Sequence, residues 1–231
     1  MNIDRIKKGF SLIELSIVIV IIGILVVGIT NGIDMYSSFK LQVARNQTRN
    51  SIVFRSNDLM LWYESTSESS FSVNGKDVST PNDRSIISRW RDLNDKVDEG
   101  LKNHATQYYW YKPKYIANAI NGLPAVGFGS LTSSSTDVGY LAVNIASLYN
   151  LTQPKTIFVV FLPLNNTNTQ PKHIMDNTVC ATQNKIMFSN ASQSLGIYAG
   201  SSAFSANYST QIDKAHLLSL VQNGSSSFYR I

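Results

Sequence analysis

Glu14 is the sole ionisable side chain between Phe10 and Ile29, a run of twenty otherwise apolar or small residues. A carboxylate in hydrocarbon costs about 2.5 to 3.5 kcal/mol even on the lenient insertion scale, so an acid kept there serves a partner. The residues ahead of it are the second chemical feature: Lys7-Lys8-Gly9-Phe10 sets a short basic leader against the start of the apolar segment. Taken by themselves, these residues establish that Glu14 is costly unless paired. An ordinary anchor has no use for it.

The run Lys7-Lys8-Gly9-Phe10-Ser11-Leu12-Ile13-Glu14-Leu15, continuing into Ile, Leu and Val, resembles the amino-terminal signature of type IV prepilins and of the pseudopilins of type II secretion. The resemblance implies that a membrane-embedded prepilin peptidase cuts between Gly9 and Phe10 and that Phe10 becomes N-methylated. It also implies a role for Glu14 in filament assembly. Cleavage would create a cationic amine on Phe10, one helical turn from Glu14, and a docking subunit would satisfy its Glu14 with the neighbour's amine. Opposite charges about 4 Å apart gain on the order of 4 kcal/mol at an intermediate dielectric before desolvation is subtracted. Register between subunits would then be fixed by charge.

Two plainer readings account for less. A secretory signal peptide has an apolar core of about 7 to 15 residues and a small-x-small cleavage site, whereas this core is longer and is followed by Thr30-Asn31-Gly32. An uncleaved anchor fits the length, since about 20 apolar residues span a bilayer, but leaves Gly9-Phe10 and Glu14 unexplained.

Elsewhere the chain offers little chemistry. His104, His173 and His216 are the only histidines, none in an H-E-x-x-H arrangement, and no G-x-S-x-G elbow or phosphate-binding loop is present. An enzyme is not expected, nor a cofactor or metal. Asp92-Leu93-Asn94-Asp95-Lys96-Val97-Asp98-Glu99 concentrates acids, but Lys96 and Val97 stand where a calcium loop needs an oxygen ligand and a glycine; a solvated loop is expected. Tyr108-Tyr109-Trp110-Tyr111 is a candidate glycan platform, against which stands the alternation of a strand, which sends successive side chains to opposite faces and would put some of them in a core. Trp62 and Trp90 read as core residues of strands. Cys180 is the only cysteine, so no intramolecular disulfide can form; it is expected as a buried thiol, a departure from the many pilins that carry a disulfide loop.

The net charge of +5 is too mild to suggest nucleic acid. The leader's Arg5, Lys7 and Lys8 precede the apolar run, which by the positive-inside rule keeps residues 1–9 in the cytoplasm and exports the chain beyond about Ile29.

The elements that must carry these groups are set by pattern. Ile29, Ile33, Tyr36, Phe39 and Val43 recur at three- and four-residue spacing, which extends the helix as an amphipathic segment to about Arg55, with Gly28 and Gly32 as candidate bends. From Leu59 short β-like runs take over: Leu59 to Tyr63, Ile86 to Trp90, Ala125 to Phe128, Thr156 to Phe161, Lys185 to Phe188, Leu195 to Tyr198 and Leu217 to Val221. Thr156 to Phe161 is the strongest and reads as a central strand. Asn223-Gly224 signals a closing hairpin.

This second part resembles the laminin-G-like, concanavalin-A-type jelly-roll domains of bacterial surface proteins. The likeness is carried by Leu61-Trp62-Tyr63, by Ile87 to Asp92, by Asn103 to Gln107, by Asn118 to Phe128 and by Thr156 to Phe161. An insertion between Asp92 and Asn103 and a stop at Ile231 depart from that pattern, leaving open a truncated sandwich or an edge completed by the helix or a neighbouring subunit.

The expected class is therefore α+β, a long helix followed by an antiparallel β-sandwich. Residues 1–9 are a prepilin leader, 10–56 a transmembrane and amphipathic helix, and 57–231 a head. The expected function is a type IV pilin-like or pseudopilin-like subunit of the bacterial inner membrane, single-pass, with a periplasmic head that becomes extracellular in a pilus. Its partners are prepilin peptidase and other pilin or pseudopilin subunits. The alternative is a membrane- or pilus-anchored adhesin that binds glycan.

Overall fold

A computed structural model of the chain describes residues 9–108, 113–129, 139–143, 155–164, 172–175, 185–189, 194–199, 202–209, 211–222 and 228–230. The chain divides after Leu59 into two units. The architecture is α+β, one long amino-terminal helix followed by antiparallel sheets.

The helix α1 (Leu12–Arg49) runs for 38 residues, about 57 Å at 1.5 Å per residue, and continues through both Gly28 and Gly32. Its polar side chains inside the apolar stretch return their donors to the backbone. Ser16 Oγ donates to the Ile13 carbonyl at 2.8 Å, and Thr30 Oγ1 to the Val26 and Val27 carbonyls at 3.1 and 3.0 Å, so neither hydroxyl is left unmet in an apolar surrounding. Length and composition suffice for α1 to cross a membrane, and no residue of it is buried within the unit. The helix stops at Arg49, short of the expected Arg55. Asn50 caps it, and Ser51 Oγ accepts the Phe54 N–H at 3.1 Å; a serine that bonds the backbone ahead of it offers the chain an alternative to continuing the helical ladder.

The head contains β1 (Phe71–Val73), β2 (Lys76–Val78), β3 (Ile87–Trp90), β4 (Ala105–Gln107), β5 (Lys114–Ile120), β6 (Leu123–Gly127), β7 (Leu141–Ala142), β8 (Lys155–Phe161), β9 (Lys172–Met175), β10 (Lys185–Ser189), β11 (Ser194–Ala199), β12 (Ser202–Ser209), β13 (His216–Gln222) and β14 (Phe228–Arg230). Among the described residues they form sheets ordered β2-β1-β3-β4-β7, β12-β11-β10-β9, β14-β13-β8 and β5-β6. Among the described residues, two-residue loops join β1 to β2 through Asn74-Gly75 and β5 to β6 through Asn121-Gly122, and in each loop both residues have positive φ: 51° and 76°, then 52° and 73°. That is the requirement of a type I′ turn, whose twist matches the flanking strands and which asparagine and glycine tolerate best.

Among the described residues, two apolar clusters hold the head. Phe71, Ile87 and Tyr115 are buried, with Val73, Val78, Trp90 and Val126 packed on them; the Phe71 ring lies 5.9 Å from Trp90 and meets Tyr115 edge-on at 5.5 Å. In the second cluster Leu218 and Leu220 of β13 pack against Ile157, Val159 and Phe161 of β8 and Ile174 of β9. Aromatic pairs of this geometry add about 0.5 to 1.5 kcal/mol each beyond their area.

Two strand expectations are corrected. Leu59 to Tyr63 forms no strand: the Trp62 N–H goes to Asp92 Oδ1 at 3.0 Å and its carbonyl accepts the Leu93 N–H at 2.8 Å, so the segment is tied to a loop and Trp62 is half-buried outside any sheet. Thr156 to Phe161 lies within β8, which is the edge of its sheet among the described strands, with Phe158 and Val160 exposed. Its β-branched and aromatic residues favour a strand, but propensity carries no information on position within a sheet.

Candidate functional site

At the amino end of α1, Ser11 occupies the N-cap with φ −70° and ψ 143°, the extended backbone that a cap requires. Its hydroxyl accepts the Ile13 N–H at 3.4 Å, and Glu14 reaches back so that Oε2 accepts the Ser11 N–H at 2.8 Å. This is a capping box, in which two donors that a helix start leaves unmet are satisfied reciprocally. Glu14 also sits in the first turn, where the helix macrodipole favours a negative charge by about 0.3 to 1 kcal/mol. The carboxylate that looks isolated in the sequence is thus held by its own chain. Ser11 is the residue that sequence reasoning missed, and Ser11-Leu12-Ile13-Glu14 before an apolar run is the S-x-x-E signal that reveals it.

Gly9 and Phe10 precede the first helical residue and are exposed, Phe10 to 88%. A Cβ at Gly9 would meet nothing within 4 Å. The Gly9–Phe10 peptide is therefore outside the helix and accessible, the condition under which a peptidase can engage a bond. Residues 1–8, the larger part of the expected leader 1–9, lie outside the described residues.

Of the four consecutive aromatics, Tyr108 is described: it is exposed, and its ring stacks on Tyr140 at 5.6 Å. Tyr109, Trp110 and Tyr111 lie outside the described residues, as does Cys180. Trp90 is half-buried in β3, where Nε1 donates to the Glu64 carbonyl at 2.8 Å and the ring packs on Tyr63 and Phe71.

The acidic segment is only in part the solvated loop expected of it, with Asp95, Lys96, Asp98 and Glu99 exposed. Asp92 and Asn94 are buried, at 1% and 0% exposure. Asp92 Oδ1 accepts the N–H groups of Trp62 and Asn94, Oδ2 accepts that of Asn103, and its own N–H goes to His104 Nδ1 at 3.1 Å. The loop closes on this carboxylate, leaving Asp95, Asp98 and Glu99 outside. Tyr63 seals one side, its hydroxyl donating to the Asn103 carbonyl; burial, with the charge of Asp92 adding, raises the phenol above its ordinary value. Glu99 bonds Lys102 and Arg91, each at 2.8 Å, while Asp77 takes the other guanidinium nitrogen at 2.7 Å. His216 stacks on Phe161 with Nε2 at 3.0 Å from the Gln211 carbonyl, and His173 lies in β9. Among the described residues no group of three or more His, Cys, Asp or Glu is placed to hold a metal ion.

The Glu99 carboxyl is held down to about 2 from 4.5, first by the Lys102 hydrogen bond and then by Arg91. A depressed folded-state value stabilises the fold above the unfolded value, and this contribution is lost as pH falls from about 4.5 towards 2. Because Glu99 is more than half exposed, solvent screening keeps the effect small. Thermal midpoints measured across that window should fall less steeply for Glu99→Gln than for wild type; equal slopes would show that the pair contributes nothing.

Compared with known families, residues 4–30 match the prokaryotic N-terminal methylation motif. No curated protein and no solved structure matches the chain. The motif indicates a type IV pilin-like or pseudopilin-like precursor, and it implies processing by prepilin peptidase and assembly with other pilins. Proteins that carry it are structural subunits, and with the apolar helix it accords with anchoring in the inner membrane.

Proposed function

We propose that the chain enters the inner membrane through α1, is cut between Gly9 and Phe10, is N-methylated on Phe10, and joins a pilus or a type II secretion pseudopilus through the pairing of Glu14 with a neighbour's terminal amine. One observation carries this reading: an accessible Gly9–Phe10 peptide stands directly before a helix long and apolar enough to cross a membrane, with one acid in its first turn. The methylation motif over the same residues supports it. In this reading the head, from about residue 57 onward, is periplasmic, and extracellular in a pilus. Its antiparallel sheets and two apolar clusters suit a sandwich of the laminin-G-like, concanavalin-A type.

Processing is the direct test. Coexpressed with a prepilin peptidase, the chain should lose residues 1–9, and intact-mass measurement should find Phe10 at the amino terminus. Gly9→Val should abolish the cut. Since the space around Gly9 is open, the chain itself tolerates that side chain, so the block arises in the peptidase. An unchanged mass for wild type, or a cut beyond Ile29, rejects the reading.

A further inference from the structure

We infer that Ser11 is a positioning residue for Glu14: its backbone N–H clamps one carboxylate oxygen and leaves the other to receive the ammonium group of an adjacent subunit. The inference rests on the assembly role proposed above for Glu14. Glu14 Oε2 accepts the Ser11 N–H at 2.8 Å, and Oε1 has no hydrogen bond among the described residues. An ionised carboxylate accepts at both oxygens, so the clamp leaves capacity for a second, charged donor. The clamp survives processing, because a cut at Gly9–Phe10 makes the amine on Phe10 and leaves the Ser11 nitrogen an amide. The Ser11 hydroxyl, bonded to the Ile13 N–H, fixes the cap backbone that aims this amide.

Clamping matters because Glu14 is exposed and its side chain has three rotatable bonds. A free carboxylate would be ordered only as subunits meet, and ordering a rotamer-rich side chain at an interface opposes association; one already held avoids that penalty. The bond also keeps the unassembled acid from standing unpaired at the start of an apolar rod.

The backbone at Ser11 permits a selective test. Its φ of −70° is the value that proline fixes, so Ser11→Pro deletes the N–H donor without requiring a new backbone conformation. Ser11→Gly removes the hydroxyl and keeps the donor, and glycine is nearly as good a cap. In the native host, with processing verified by intact mass, Ser11→Gly should retain most filament yield, whereas Ser11→Pro should lower it about fivefold, the order expected from freeing one side chain. Wild-type yield from processed Ser11→Pro overturns the positioning role. If Glu14→Leu also assembles normally, the underlying assembly reading fails as well, which separates the two.

A second measurement does not depend on the peptidase accepting proline. In full-length chain held in detergent micelles, the Ser11 amide should exchange its hydrogen slowly in wild type and in Glu14→Gln, which keeps the capping box without the charge. In Glu14→Leu it should exchange faster, about fivefold for the loss of one cap bond. Equal exchange in wild type and Glu14→Leu shows that no clamp exists and overturns the inference.

Discussion

Asp92→Ala should cost the head a large share of its stability. Its carboxylate is 1% exposed and accepts three backbone N–H groups, from Trp62, Asn94 and Asn103, at 3.0, 3.1 and 3.1 Å. Alanine would leave all three donors without that acceptor, each buried orphan costing about 1 to 3 kcal/mol, against a net domain stability of about 5 to 15 kcal/mol. A loss of roughly 3 to 6 kcal/mol is expected, allowing for water reaching the partly buried Trp62 end. Asp92→Asn keeps one acceptor oxygen but turns an amide donor towards one of the N–H groups, so it should fall between. Trp62 and Trp90 lie beside the loop and report its unfolding by fluorescence in denaturant with the full chain in detergent. A control, Asp95→Ala, changes an exposed acid three residues away and should shift the midpoint little. Equal midpoints for the two variants would mean that the Asp92 knot is not what closes this loop.

That carboxylate also marks the limit of what the sequence discloses. With Asp92, Asp95, Asp98 and Glu99 against Lys96 alone, the stretch from Asp92 to Glu99 looks solvated, because composition averages over positions that tertiary contacts separate. The partners of Asp92 lie up to 30 residues away, at Trp62, and no local pattern announces a contact of that range. Signals confined to a few residues behave differently. Ser11-Leu12-Ile13-Glu14 specifies its own cap, and Asn74-Gly75 and Asn121-Gly122 specify turns through a backbone requirement that few residues meet. Asn121-Gly122 lies inside the segment that carries the laminin-G-like resemblance, whereas Asn74-Gly75 obeys the rule that marks Asn223-Gly224 but is flanked by strands too short to draw notice. The β-branched runs locate β3, β6, β8, β10, β11 and β13 to within a few residues. They leave β1 and β2 unseen, since Phe71 to Val78 is short and half polar, and they suggest a central place for β8, which stands at an edge among the described strands.

Glu14→Leu should still insert in the membrane and should fail to assemble. Insertion gains from losing the carboxylate, by at most about 2.5 to 3.5 kcal/mol and less near the end of the span. Against that stands the lost cap bond to the Ser11 N–H, typically about 1 kcal/mol of helix stability. The two terms oppose each other, so membrane insertion at or slightly above wild-type level is expected from alkaline extraction of membranes. Assembly has no such offset. The amine on Phe10 of a neighbouring subunit loses an attraction on the order of 4 kcal/mol before desolvation, and a buried ammonium left without a counterion opposes docking outright. Filament yield should therefore fall to background while the processed subunit accumulates in the membrane, and Glu14→Gln should fail similarly although it keeps the cap. Because Gln preserves the hydrogen bond and Leu removes it, a Gln variant that assembles with wild-type yield would show that capping suffices and that charge pairing is not the docking force.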